Sequence, residues 1–143
     1  MCLLGNQRAT FDIDYTTNLD PESERSFEGE INQIAAQLHL DVESVPIEEF
    51  IPLPPGASSR RRFIGSYGNI EVYIFDLYTI ALSKIARGFE ADFNDVSFML
   101  KEKQIYFDEL EKYYKIILPE VSKADIAPKD FKEHFNEIMR RIA

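Results

Sequence analysis

A chain of 143 residues, 45% apolar and 29% charged, is sized and balanced for one globular domain around one core. Its formal net charge of −9 disfavours a broad electrostatic grip on nucleic acid or on an anionic membrane, and leaves room for a small basic pocket. The one cysteine, Cys2, excludes an intrachain disulfide and fits a reducing compartment. No basic segment leads into a long apolar run, and no apolar run nears the roughly 18–20 residues of a membrane span. The expectation is a cytoplasmic protein with no membrane partner.

In chain order, "MCLLGNQ" is apolar and then reaches Gly5-Asn6, as if the chain opened at the end of a helix. "ATFDIDYTT" alternates, with Phe11, Ile13 and Tyr15 on one face and Asp12 and Asp14 on the other, which predicts a strand. In "DPESERSFEGEINQIAAQLHL", Asp20 can cap and Pro21 suits the first helical position. Phe27, Ile31, Ile34, Ala35 and Leu38 recur at helical spacing, so a helix is expected over about 21–39. The proline-rich stretch "DVESVPIEEFIPLPPGASS" reads as a loop with one helical turn near Pro46. "RRRFIGS", "YGN" and "IEVYIFD" read as a β-hairpin, after which Asp76 caps "LYTIALSKIAR" and Gly88 ends it. Three further helices follow in "ADFNDVSFMLKEK", in "YFDELEKYYKIIL" before Pro119, and in "APKDFKEHFNEIMRRIA" with Pro128 near its start. The fold class is α+β: a small mixed sheet within about 8–76, flanked by helices, and a helical half over 77–143, all in one domain 1–143.

The pair Asp12 and Asp14 stands out. Residues i and i+2 of a strand project from one face about 6.5–7 Å apart, so the two carboxylates repel unless something positive lies between them. Two readings are open: a solvent face carrying charge to blunt a sheet edge, or a divalent cation site of the kind Mg²⁺ takes with substrate phosphates. A third acid from the hairpin, Glu71, or Asp76 at the strand's end, would complete a set suited to two-metal phosphoryl or nucleotidyl transfer. Asp76 is also explained as a helix N-cap. Which face of the Glu71 strand is buried cannot be read from the sequence.

"RATFDID", an acidic hairpin strand and "DLYTIALSKIARGFEADFNDVSFML" together resemble bacterial nucleotidyltransferase-like proteins related to the AbiEii toxin. In that family an R-x-[ST]-x-D-[IL]-D strand carries the metal-binding aspartates, here matched by Arg8, Thr10, Asp12 and Asp14. A later L-x-K-L-x-R…D-x-x-D segment lies near the nucleotide, here matched by Lys84, Arg87, Asp92 and Asp95. The resemblance covers roughly residues 5–102. It implies a polymerase-β-like fold and Mg²⁺ with an NTP as substrate. It also implies an RNA or protein acceptor and toxin–antitoxin biology with a cognate partner. Asp12, Asp14 and Glu71 would hold metal and carry catalysis, and Arg8, Thr10, Lys84, Arg87 and Asp92 would bind nucleotide. The family's N-terminal helix with its Gly-Gly or Gly-Ser turn has no counterpart before "MCLLGNQ". The alternative expectation is therefore a truncated, non-catalytic interaction or antitoxin-like module of the same fold.

Each remaining feature carries a plain structural reading beside its functional one. Asp92 and Asp95 suit a helix N-cap and its N3 acid. Lys84 and Arg87 are either solvated or hold phosphate, and Arg60-Arg61-Arg62 is either a solvated entry to the hairpin or a phosphate or RNA contact. His39 and His134 share no ligand spacing with Cys2, which argues against zinc. The stripes Phe107, Leu110, Tyr114, Ile117, Leu118 and Phe131, Phe135, Ile138, Ile142 are core, or the interface of a homodimer.

Overall fold

A computed structural model describes residues 12–143, with Asp12 described by its backbone alone. Cys2, Arg8, Thr10 and the predicted start of the first strand lie outside the described residues. The chain divides into two compact units, Met1–Ile47 and Glu48–Ala143. The α+β class holds, and the described strands form two separate two-stranded ladders.

The first unit is a β-α-β element. β1 (Asp12–Tyr15) leads into α1 (Pro21–Leu38), which Asp20 caps by accepting from the Ser23 amide at 3.0 Å and the Ser23 hydroxyl at 2.6 Å. His39 closes α1 in the left-handed region, φ 54°, and the chain turns at once into β2 (Asp41–Ser44). The expectation of a loop from residue 41 is corrected here: "DVES" is a strand, parallel to β1 in the register Asp12–Asp41, Ile13–Val42, Asp14–Glu43 and Tyr15–Ser44. A parallel partner needs a crossover of a dozen or more residues, which α1 supplies, and the prolines begin only at Pro46. Tyr15 meets Phe27 of α1 edge-to-face at 5.7 Å, so the Tyr15 face of the ladder is the one turned to the helix.

The helical turn α2 (Ile47–Phe50) begins at the last residue of the first unit, and the second unit continues through a 3₁₀ turn at Ala57–Arg60. The hairpin of β3 (Arg62–Tyr67) and β4 (Ile70–Ile74) turns at Gly68, φ 64°, with a bulge between Phe63 and Gly65. Helices α3 (Leu77–Arg87), α4 (Glu90–Lys101), α5 (Phe107–Ile117) and α6 (Pro128–Ile142) enclose the core, with a 3₁₀ segment at Leu118–Ala124 that takes Pro119 in its first turn. The two aromatic stripes pack on each other: Tyr114 stacks on Phe135 at 3.9 Å and meets Phe131 at 5.1 Å. Leu82, Ile85, Val96, Leu110 and Ile138 are fully buried around them.

Gly88 ends α3 at φ 73°, its amide bonded to the Lys84 carbonyl at 2.9 Å. The place a Cβ would take there is already occupied by the His134 imidazole, whose Nδ1 lies 2.8 Å from the Ile85 carbonyl. Gly88→Ala therefore combines left-handed strain with a collision against a packed ring. A loss of about 2–4 kcal/mol is expected in urea denaturation; wild-type stability would refute this account of the α3–α4 turn.

Candidate functional site

The parallel register places residues 12 and 14 of β1 beside residues 41 and 43 of β2 on one face of the first unit. Four acids, Asp12, Asp14, Asp41 and Glu43, thus occupy adjacent positions on the side opposite Tyr15 and α1. Asp14, Asp41 and Glu43 are exposed. Like charges directly across a ladder cost stability, so the strands hold a repulsive arrangement whose relief needs a cation or water. Among the described residues no three His, Cys, Asp or Glu side chains converge on a metal position, and the Asp12 side chain is outside that set. The sequence reading missed Asp41 and Glu43, although "DVES" repeats the acid–apolar–acid pattern of "DID".

Glu71, in the second unit, stands on β4 opposite Ser66, is exposed, and accepts from the Tyr73 hydroxyl at 2.7 Å. Asp76, the other candidate for third acid, is wholly enclosed. It caps α3 by accepting from the Thr79 amide at 3.1 Å and the Thr79 hydroxyl at 2.7 Å. Arg60 grips both its oxygens at 2.9 and 2.8 Å. Burial pushes the Asp76 carboxyl up, and the Arg60 and Thr79 hydrogen bonds outweigh it, leaving it below its ordinary value of 3.8. Arg60, read from sequence as solvated or phosphate-binding, is an internal clamp that also bonds the Tyr113 hydroxyl at 3.1 Å.

The second motif closes on itself. Lys84 and Arg87 lie in the last turns of α3, and Asp92 and Asp95 in the first turns of α4. Asp92 is not the N-cap that the sequence suggests. Phe89 is, and Asp92 at N3 reaches back to accept the Phe89 amide at 3.2 Å. Lys84 bonds Asp95 at 2.8 Å and stands 3.7 Å from Asp92, while Arg87 grips Asp92 through Nε at 2.8 Å. Both aspartates are only 1% exposed. Burial raises the Asp92 carboxyl, but Arg87, the Phe89 amide and Lys84 together hold it below 3.8. Outside this cluster, Arg141 of α6 bonds Glu90 at 2.8 and 3.0 Å and Glu137 at 2.7 Å, tying α6 to α4.

Residues 2–142 match the model of a family described as nucleotidyltransferase of unknown function (DUF6036). The chain belongs to that family. No curated protein and no solved structure matches it. In this nucleotidyltransferase family member, no helix among the described residues is long and apolar enough to cross a membrane. Of the predicted site residues, Lys84, Arg87 and Asp92 stand together. Asp12 and Asp14 share a face with two further acids of the first unit, Glu71 lies on the hairpin of the second unit, and Arg8 and Thr10 lie outside the described residues.

Two predictions follow from the buried pairs. Lys84→Met leaves two enclosed aspartates short of a countercharge, and a loss of about 3–5 kcal/mol is expected by urea denaturation; a loss below about 1 kcal/mol would mean Lys84 is not structural. Asp76 and Asp92 both have folded-state values lowered from 3.8. Their contribution is therefore complete above that value and is lost as pH falls through the folded values. Unfolding free energy should be level from pH 7 to 5 as far as these groups act, then drop below about pH 4. Asp92→Asn should be weaker at pH 7 and show a shallower acid decline, whereas parallel acid profiles would show that Asp92 is not a source of it.

Proposed function

We propose that this chain transfers a nucleotide from an NTP to an RNA or protein acceptor, using Mg²⁺, as one component of a toxin–antitoxin pair related to AbiEii. The observation that carries the reading is the parallel register of β1 and β2, which lines up residues 12, 14, 41 and 43 along one face, where Asp14, Asp41 and Glu43 are exposed. Carboxylate oxygens are the donors that Mg²⁺ prefers, and it binds through one or two of them together with substrate phosphates. Asp12 and Asp14 are the proposed ligands, and Asp41 and Glu43 deepen the negative field that draws the cation in. When bound, the ion supplies charge neutralisation at the phosphates.

The chain's own residues do the positioning. Glu71 is assigned the alignment and deprotonation of the acceptor hydroxyl. It is favoured over Asp76 because every hydrogen bond to Asp76 comes from within its own cap and clamp. Arg87, with a side chain 56% exposed, is the member of the α3–α4 cluster that reaches solvent and is assigned to phosphate. Lys84 and Asp92 hold it in place, since Asp92 fixes the guanidinium and Lys84 balances the remaining acidic charge. Arg8 and Thr10 are assigned to the nucleotide through the family resemblance alone.

The test is a thermal-shift titration with each NTP, with and without Mg²⁺. Ligand at about 100 Kd adds roughly 2.7 kcal/mol of stability, an easily read shift. Wild type should respond only to Mg²⁺ and NTP together. Asp12→Asn/Asp14→Asn should be more stable without ligand, because repulsion is relieved, and should lose the response. If no nucleotide moves wild type, the transferase reading fails and the non-catalytic module replaces it.

A further inference from the structure

The β3–β4 hairpin carries side chains that neither the core nor the proposed chemistry uses. From residue 60 to residue 75 stand Arg60, Arg61 and Arg62 against a single carboxylate, Glu71, in a chain of net charge −9. Arg60 is committed to Asp76. Arg61 and Arg62 are exposed; Arg61 holds its guanidinium 4.2 Å from the centroid of the Tyr73 ring, and Arg62 donates to the Gln104 carbonyl at 3.1 Å. Neither pairs with a carboxylate among the described residues. Phe63 lies directly across from Tyr73, edge-to-face at 5.4 Å, and is 58% exposed. Arg61, Tyr73 and Phe63 thus make one continuous cationic and aromatic face. Tyr67, 64% exposed, folds over Gly65 and belongs to the opposite face.

A two-stranded ribbon with exposed rings is a surface that a partner stabilises. A second copy is disfavoured, because two such faces would bring arginines together. A polyanion with flat bases is complementary to the Arg61 guanidinium and to the exposed ring of Phe63. The guanidinium over Tyr73 is preorganised for phosphate, and an exposed ring accepts any base by stacking. We propose that the Arg61–Tyr73–Phe63 face of the hairpin docks single-stranded RNA, with Arg61 on a phosphate and Phe63 under a base. Glu71, on the same face and turned to the Tyr73 hydroxyl, marks its anionic end. A strand lying along the face would bring its terminal hydroxyl towards the residue assigned to align it. That consequence rests on the proposed transferase activity; the docking does not.

The test is fluorescence anisotropy with a labelled oligouridylate of about twelve nucleotides in about 50 mM salt. Wild type should bind with a clear salt dependence. Arg61→Ala should weaken binding about tenfold and reduce the salt slope by about 0.7, and Phe63→Ala should weaken it roughly five- to a hundredfold. Phe63→Leu keeps the bulk and loses the π face, so it should weaken binding even if the alanine variant fails to fold. Tyr67→Ala on the other face should bind as wild type does, and because the assay contains neither NTP nor Mg²⁺, its outcome is separate from that of the transferase. No binding by wild type, or undiminished binding by a folded Arg61→Ala/Phe63→Leu double variant, overturns it. A dimer that the double variant converts to monomer, without RNA binding, would make a second copy the occupant.

Discussion

Two carboxylates with almost no access to water, Asp92 and Asp95, determine how the helical unit is put together. A buried charge is tolerated only when paired and hydrogen-bonded. Here both cations come from the end of α3 and both acids from the start of α4. The pairing therefore demands a tight reversal between the two helices, and Gly88 supplies it in a conformation that L-residues avoid. The His134 ring fills the space a side chain at Gly88 would have taken, which draws α6 against the same corner. Arg60 and Asp76 repeat the device at the other end of α3, where one cation both completes a helix cap and meets Tyr113 of α5. The helices are thus pinned at both ends of α3 by charge. The apolar side chains between those pins need only fill volume.

This architecture explains why much of the fold was legible in the sequence. Capping residues, helical stripes and the Gly68 and Gly88 turns act locally, so Asp20, Asp76, Pro21 and Pro128 announce their helices without knowledge of the rest. The strand "DVES" reads as loop because four residues beside a proline-rich stretch carry little periodic signal. Only its pairing with "DIDY" across an intervening helix makes it a strand. The position of Asp92 is ambiguous in the sequence for a related reason. An acid at N3 and an acid at the N-cap look alike in sequence, and Phe89, with no oxygen in its side chain, is an unlikely-looking cap until Asp92 is seen to accept its amide.

The site was legible in part, and the missing part is again a matter of pairing. The D-x-D pattern announces two carboxylates on one face, but not the two more that a parallel neighbour adds. The Arg-Arg-Arg run announces charge, but not its division. Arg60 turns inward to a buried acid, Arg61 lies on a tyrosine, and Arg62 reaches a carbonyl. Sequence motifs name residue types. What those residues do depends on which of them are already satisfied by a neighbour, and that is a property of the folded chain alone.

Satisfaction also sorts the charged residues by role. Arg60 holds Asp76, and Lys84 holds Asp92 and Asp95; removing either cation leaves a buried acid short of a partner in a low-dielectric interior. They are the frame. Asp14, Asp41, Glu43, Glu71 and Arg61 are exposed, and the first three stand on a face where like charges crowd. A protein gains no stability from that crowding. Such an arrangement is tolerated because its members are open to solvent, which screens their repulsion, whereas the charges of the frame must be met by neighbours.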